Sequence, residues 1–460
     1  MRDLAYLKLL SREYPNIRAA ASDIINLQAI CGLPKGTEYF FSDLHGEHEA
    51  FIYLLRSSSG IIREKIRETF GHIISEEDEV RLANLIYYPE KMINQIKQAN
   101  EYTEDWQKTA VYRLVQICRE VSSKYTRSKV RKKMPKEFSG VIDELLYVDN
   151  TDDNKTEYYS ELINTLIDVR VADSFIVVIC SLIRSLTIDN LHILGDIFDR
   201  GPRPDIILEE LMHFHDVDIQ WGNHDISWMG AATGNRACIC NVLRMALGYN
   251  GFDVLEDGYG INLRPLSMFA ERVYRDDPCT CFLPQILDKN IYDAVDPKLA
   301  AKMHKAIAVL QYKEEGQIIK RHPEYGMEER ILLSAIRYDR GTVTIDGKEY
   351  PMRDMNFPTV DPADPLRLTD EEEELLHTLE LSFRHNARLH EHVRFLYSNG
   401  SMYKCCNSNL LYHGCIPMTE NREFDGLMVG GKMYRGKELM DFIDTQVKNA
   451  YFLPEDVTPD

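Results

Sequence analysis

Ser42-Asp43-Leu44-His45-Gly46 sets a carboxylate and an imidazole two residues apart, just past the apolar run Glu38-Tyr39-Phe40-Phe41. Side chains at the carboxyl end of a strand stand where open α/β sheets bind their ligands. Alone, Asp-x-His describes many ordinary loops. Two further stretches repeat the pattern: Ile193-Leu194-Gly195-Asp196-Ile197-Phe198-Asp199-Arg200-Gly201 and Trp221-Gly222-Asn223-His224-Asp225. Each runs from strand into a glycine-bearing loop and delivers carboxylate, imidazole or amide oxygen. A fourth apolar run, Asn409-Leu410-Leu411-Tyr412, delivers His413-Gly414.

This donor mixture suits a divalent cation such as manganese, zinc or iron. Two such ions roughly 3.5–4 Å apart activate water, orient a phosphoryl group and stabilise the leaving oxygen. Asp43 and His45 suit one ion, Asp196 can bridge, and Asn223 with His413 suit the other. Asp199 and His224 fit a different task, a carboxylate orienting an imidazole that protonates a leaving alkoxide. Arg200 offers a planar fork to a phosphate. The chemistry legible in these residues is phosphoester hydrolysis.

The elements that must position them read as α/β. Leu191-His192-Ile193-Leu194 is a strand, Asp205 to about Phe214 a helix, and Val217-Asp218-Ile219-Gln220-Trp221 alternates like a half-buried strand. Strand, helix, strand is a crossover unit that sets two motif-bearing ends side by side. Val171 to Leu186 is apolar enough for a buried helix, with Phe175 to Cys180 also readable as strand. Val111, Leu114, Val115, Cys118 and Val121 share one helical face.

Residues 1–36 read as a packing helix with Ile17, Ala21, Ile24, Gln28 and Cys31 on one side, stopped by Gly32 and Pro34. Asp346-Gly347 marks a hairpin, and Thr369 with Glu372 a capping box. His377, His385, His390 and His392 include no pair at i, i+4, so a metal role there is disfavoured. The expected organisation is a helical extension (1–36), a first core segment (37–50), a helical insertion (51–171), a core segment with the metal motifs (172–265), a second insertion (266–400) and a closing segment (401–460).

The single concentrated basic patch is Lys124 to Lys133, six of ten positions Lys or Arg. It is either a solvated face or a site for a phosphorylated ligand or acidic neighbour; Lys124, Arg127 and Lys129 are the candidates for substrate phosphate. The net charge of −19 argues against a general nucleic-acid binder, which neutralises phosphates with excess Lys and Arg. A metal pair can still supply local positive charge for an anionic substrate. The longest apolar run is too short and too interrupted to span a bilayer, and no signal-peptide core is evident. Ten scattered cysteines without paired zinc spacing fit reduced thiols in a cytoplasmic chain.

Asp43-x-His45, Gly195-Asp196-x-x-Asp199-Arg200-Gly201, Gly222-Asn223-His224-Asp225 and His413-Gly414 together resemble the calcineurin-like metallophosphoesterases. More narrowly, the chain resembles the bacterial class III fructose-1,6-bisphosphatases, through Leu33-Pro34-Lys35-Gly36-Thr37-Glu38, Ser123 to Lys129 and Tyr259-Gly260-Ile261-Asn262-Leu263-Arg264-Pro265. The resemblance implies sheets flanked by helices with large, mainly helical insertions. It also implies a manganese-dependent hydrolase, with two ions per site, that removes the 1-phosphate of fructose 1,6-bisphosphate in gluconeogenesis. The small-molecule sugar bisphosphate comes from the resemblance alone.

Against that family's pattern no histidine follows His413, so a later Gly-His-Thr-Pro segment that supplies another metal histidine is expected to be missing. The alternatives are a protein or dinucleoside-polyphosphate phosphatase on the same core, and a catalytically weak regulatory protein.

Overall fold

The computed structural model describes residues 2–33, 35–147, 153–285 and 296–453. Contacts divide the chain into two units: Met1–Tyr39 with Tyr53–Asn190, and Phe40–Ile52 with Leu191–Asp460. No described helix is long and apolar enough to cross a membrane.

The first unit is helical. Glu104–Ser122 and Ala172–Thr187 form its centre, and the stripe Val111, Leu114, Val115, Cys118 and Val121 is buried at 0–4% exposure. Phe175 to Cys180 lies within the second of these helices and not in a strand. Phe175, Ile176, Ile179, Cys180, Leu182, Ile183 and Leu186 are buried at helical spacing, a period that the six apolar residues from Phe175 to Cys180 are too short a run to show by themselves.

The N-terminal reading needs correction. Two helices occur, Arg2–Glu13 and Ile17–Cys31. Pro15 cannot continue the first, and the Asn16 side chain caps the second by accepting from Ala19 N–H at 3.0 Å. The second helix buries none of its residues, and Ile17 is 87% exposed, so the apolar face does not pack on this fold. Pro34, read as part of its stop, lies outside the described residues.

The second unit carries the motifs on a four-stranded sheet: β1 (Glu38–Phe41), β2 (Asn190–Ile193), β3 (Val217–Gln220) and β4 (Gly400–Ser401), in the order β1-β2-β3-β4. The unit division falls inside β1 and at the first residue of β2. β2 and β3 are parallel, with Ile193 opposite Ile219, and β3 and β4 are parallel, with Ile219 opposite Gly400. The helix Pro204–Met212 connects β2 to β3. This is the crossover the spacing anticipated, and it opens both strands' carboxyl ends on one edge.

β3 is buried on both faces. Asp218 and Gln220 do not meet solvent as the alternation suggested; Asp218 accepts from Gln220 Nε2 at 2.9 Å and Lys404 Nζ at 2.6 Å and lies 2.8 Å from His192 Nδ1. Three partners satisfy the Asp218 carboxylate, which lets it lie in the core. Asn409–Tyr412 is a strand, but it pairs antiparallel with Tyr403–Cys406 in a separate hairpin and is not a member of the motif sheet. The turn at Asp346-Gly347 and the Thr369–Glu372 capping box both form. None of the ten cysteines forms a disulfide.

Candidate metal centre

The loops that leave β1 and β2 bind one another through their backbones. Asp43 N–H donates to Gly195 O at 3.1 Å, His45 N–H to Asp196 O at 2.8 Å, Gly46 N–H to Ile197 O at 2.9 Å, and Gly201 N–H to His45 O at 2.7 Å. Asp43, His45, Asp196, Asp199 and Arg200 all take positive φ, between 44° and 70°. This conformation is uncommon for residues with a Cβ, and such strain concentrates at ligand sites.

The loop after β2 also touches the start of the helix after β3. A Cβ at Gly195 would stand 2.6 Å from Gly222 N, and one at Gly222 would stand 2.1 Å from Asp196 Oδ1. Neither position has room for a side chain. The helix Asn223–Thr233 begins there, and fully buried Asp225 locks the junction. Its Oδ2 accepts from Gly222 and Asp196 N–H, each at 2.9 Å; its Oδ1 accepts from Ile197 N–H at 2.8 Å and Phe198 N–H at 3.4 Å. Burial pushes the Asp225 carboxyl up to about 6, although these backbone donors pull the other way.

Asp196, 4% exposed, is the hub. Its Oδ2 lies 3.3 Å from His413 Nε2, 3.9 Å from His45 Nε2 and 4.0 Å from His224 Nε2. His45 Nδ1 lies 3.1 Å from Phe198 O and His413 Nδ1 2.6 Å from Leu194 O. With Nδ1–H donated to a carbonyl, Nε2 keeps its lone pair for the cluster, the tautomer metal-ligating histidines use. Burial holds the His45 imidazole below its ordinary value, against the Phe198 carbonyl that raises it, which favours the neutral, ligating form.

Two sets of donors with all ligand atoms within 4.8 Å share Asp196: Asp43, Asp196 and His413, and His45, Asp196 and His224. Carboxylate and imidazole at these separations fit divalent cations. Asp43 Oδ1 is also 3.8 Å from His45 Nε2, so the pairing read from the sequence is geometrically open. Asn223 is exposed at the first helical position, beside His224.

His224 has a second partner. Its Nδ1 lies 2.7 Å from Asp199 Oδ2, whose other oxygen accepts from Trp228 Nε1 at 2.9 Å. The Asp199 hydrogen bond raises the imidazole's pKa, and burial opposes it. Arg200 is exposed next to Asp199, and its charge disfavours protonation of both His45 and His224.

Lys124, Arg127 and Lys129 belong to the first unit and have partners there. Lys124 Nζ donates to Thr37 Oγ1 at 2.7 Å, the Arg127 guanidinium lies 4.3 Å from the Tyr147 ring centroid, and Lys129 Nζ is 2.7 Å from buried Asp189 Oδ1. The contributions of Asp225 and Trp228 were missed in the sequence. Their signal was positional: Asp225 is the third helical residue, where a carboxylate reaches back to the cap, and Trp228 follows His224 by four.

The match to the family described as Firmicute fructose-1,6-bisphosphatase runs from residue 5 to residue 459. The chain belongs to that family. Curated relatives carry the same description of activity. The class 3 fructose-1,6-bisphosphatase of Clostridium tetani is 52% identical over 454 residues, covering 99% of this chain and 68% of the relative. That of Clostridium novyi is 50% identical over 451 residues (98% and 68%), and that of Bacteroides fragilis 51% over 455 residues (99% and 68%). No solved structure matches. Family membership and the α/β core with helical additions agree with the resemblance drawn from the motifs.

Proposed function

We propose that this chain hydrolyses fructose 1,6-bisphosphate to fructose 6-phosphate and phosphate, as a metal-dependent phosphomonoesterase of gluconeogenesis in the cytoplasm. The observation that carries the reading is the convergence of three imidazole Nε2 atoms on one buried carboxylate oxygen of Asp196, in a chain of the fructose-1,6-bisphosphatase family.

Asp43, His45, Asp196, Asn223 and His413 are the residues that would hold the metal, and manganese is the ion we propose. Bound there, divalent ions supply Lewis-acid charge to the phosphoryl group and a water activated for attack. The protein's own groups do the rest. Asp199 holds His224 Nδ1 at 2.7 Å, so the proton on Nε2 is available to the leaving sugar oxygen. Arg200, exposed at the edge of the cluster, gives its fork to the phosphate oxygens. Asp225 keeps the Asp196 loop and the His224 helix in register.

The test is phosphate release with manganese across a panel of fructose 1,6-bisphosphate, a phosphopeptide and a dinucleoside polyphosphate. Preference for the sugar bisphosphate is expected. Preference for either of the others would reassign the substrate, and release from none would reject the enzymatic reading.

A further inference from the structure

His224 and Trp228 stand four apart on the helix Asn223–Thr233, so both side chains leave one face. Both reach the same carboxylate. Asp199 Oδ2 takes His224 Nδ1 at 2.7 Å and Oδ1 takes Trp228 Nε1 at 2.9 Å. Asp199 is 2% exposed and Trp228 is fully buried, so water does not compete for either oxygen. The indole is itself fixed by neighbours: Phe198 is stacked on it at 4.7 Å and 16°, Tyr259 lies at 5.3 Å and Phe383 at 6.3 Å.

We propose that Trp228 is a positioning residue for proton delivery, its indole N–H fixing the rotation of Asp199 so that the other oxygen holds His224 with Nε2 directed at the leaving oxygen. This deepens the function proposed above and rests on the acid role of His224. The last torsion of an aspartate is broad and roughly two-fold, so one partner on one oxygen leaves the carboxylate free to rock. A second donor on the opposite oxygen removes that freedom. In the step itself, the bond between phosphorus and the sugar oxygen breaks as the oxygen of water bonds to phosphorus. The leaving oxygen takes the proton from His224 Nε2, and the Nδ1 proton stays on the ring against Asp199. The attacking water sheds one proton to solvent, and the neutral imidazole regains one from solvent, so the protons balance.

A core tryptophan without this role predicts something different, because leaving groups differ in their need for a proton. A sugar alkoxide needs one; p-nitrophenolate leaves without it. Trp228→Phe keeps most of the ring and loses the N–H. With manganese bound, it should lower kcat on fructose 1,6-bisphosphate by about 10- to 100-fold, within the range a positioned acid supplies. On p-nitrophenyl phosphate it should stay within about threefold of the parent, with KM and manganese content unchanged. Phe383→Leu, which loosens the packing and spares the hydrogen bond, should move both substrates by one common factor.

A second readout needs no turnover. The downfield Nδ1–H proton resonance that His224→Asn removes should exchange faster with solvent in Trp228→Phe. Equal loss on both substrates, no loss on either, or an unchanged proton resonance would each overturn the proposal. If His224→Asn slows both substrates equally, the acid role fails, whatever Trp228 does. Should Trp228→Phe not fold, the benzothienyl analogue of tryptophan at position 228, with sulfur in place of N–H, carries the same comparisons.

Discussion

Replacing Asp225 with Asn tests how far the metal centre depends on a residue that touches no substrate. The carboxylate accepts four backbone N–H groups, two on each oxygen. An amide can serve one pair and turns its NH₂ toward the other. If it keeps Ile197 and Phe198, the N–H groups of Asp196 and Gly222 lose their acceptor while buried, at about 1–3 kcal/mol each, or about 2–6 kcal/mol together. An opposing effect is present. Burial pushes the parent's carboxyl from 3.8 up to about 6, so holding it ionised at neutral pH costs on the order of 3 kcal/mol, and the neutral amide escapes this. The net loss of stability is therefore at most about 3 kcal/mol, and the variant should fold.

The metal centre should suffer more than the fold. Gly222 N–H and Asp196 N–H flank the carboxylate proposed to bridge the metals, and outer partners of metal ligands typically contribute 10–100-fold in affinity. Guanidinium unfolding of the metal-free protein, paired with manganese titration by calorimetry, separates the two effects. A variant destabilised by several kcal/mol that binds manganese within about threefold of the parent would refute the reasoning.

His224→Asn should lower kcat on fructose 1,6-bisphosphate by about 10²–10⁴-fold and leave metal content intact; loss of metal by elemental analysis would make His224 a ligand, as its place near Asp196 and His45 allows. Gly195→Ala puts a Cβ 2.6 Å from Gly222 N at a φ of +81°, so lower thermal stability and weaker manganese binding are expected together, and an unchanged melting curve would contradict the close approach. In the first unit, burial alone would raise the Asp189 carboxyl, but Lys129, Tyr125, the Thr37 N–H and Lys133 outweigh it and hold it at about 2. A depressed folded-state value means stability present above the ordinary 3.8 and lost as pH falls toward 2, on the order of 2 kcal/mol. Asp189→Asn should therefore flatten the pH 2–4 limb of an acid-unfolding curve; an identical limb would argue against the ion cluster.

Much of the site's placement was legible because it sits at strand ends. Asp43, His45, Asp196 and His224 each follow a short apolar run closely, and a parallel sheet gathers such ends whatever lies between them in the chain. The Val111–Val121 stripe was legible for a different reason, its helical period. What the sequence concealed depends on tertiary partners. His413 comes from a separate hairpin, which a run of four residues cannot distinguish from a sheet member. Asp218 and Gln220 look solvent-facing until Lys404, from a strand far along the chain, supplies a donor. The apolar face of Ile17–Cys31 has the spacing of a packed helix, yet periodicity says only that a face could be buried. Trp228 is a core residue, and its N–H gains meaning only once Asp199 is seen beside it.

The most direct test of the shared-carboxylate centre is electron paramagnetic resonance of the manganese-loaded chain, with the bound metal counted in the same sample. Two ions per chain with an exchange-coupled spectrum are expected for the parent, and Asp196→Asn should lose both the coupling and the turnover. A spectrum of isolated ions in the parent, or an Asp196→Asn variant that keeps coupled manganese and full activity, would contradict the proposed site.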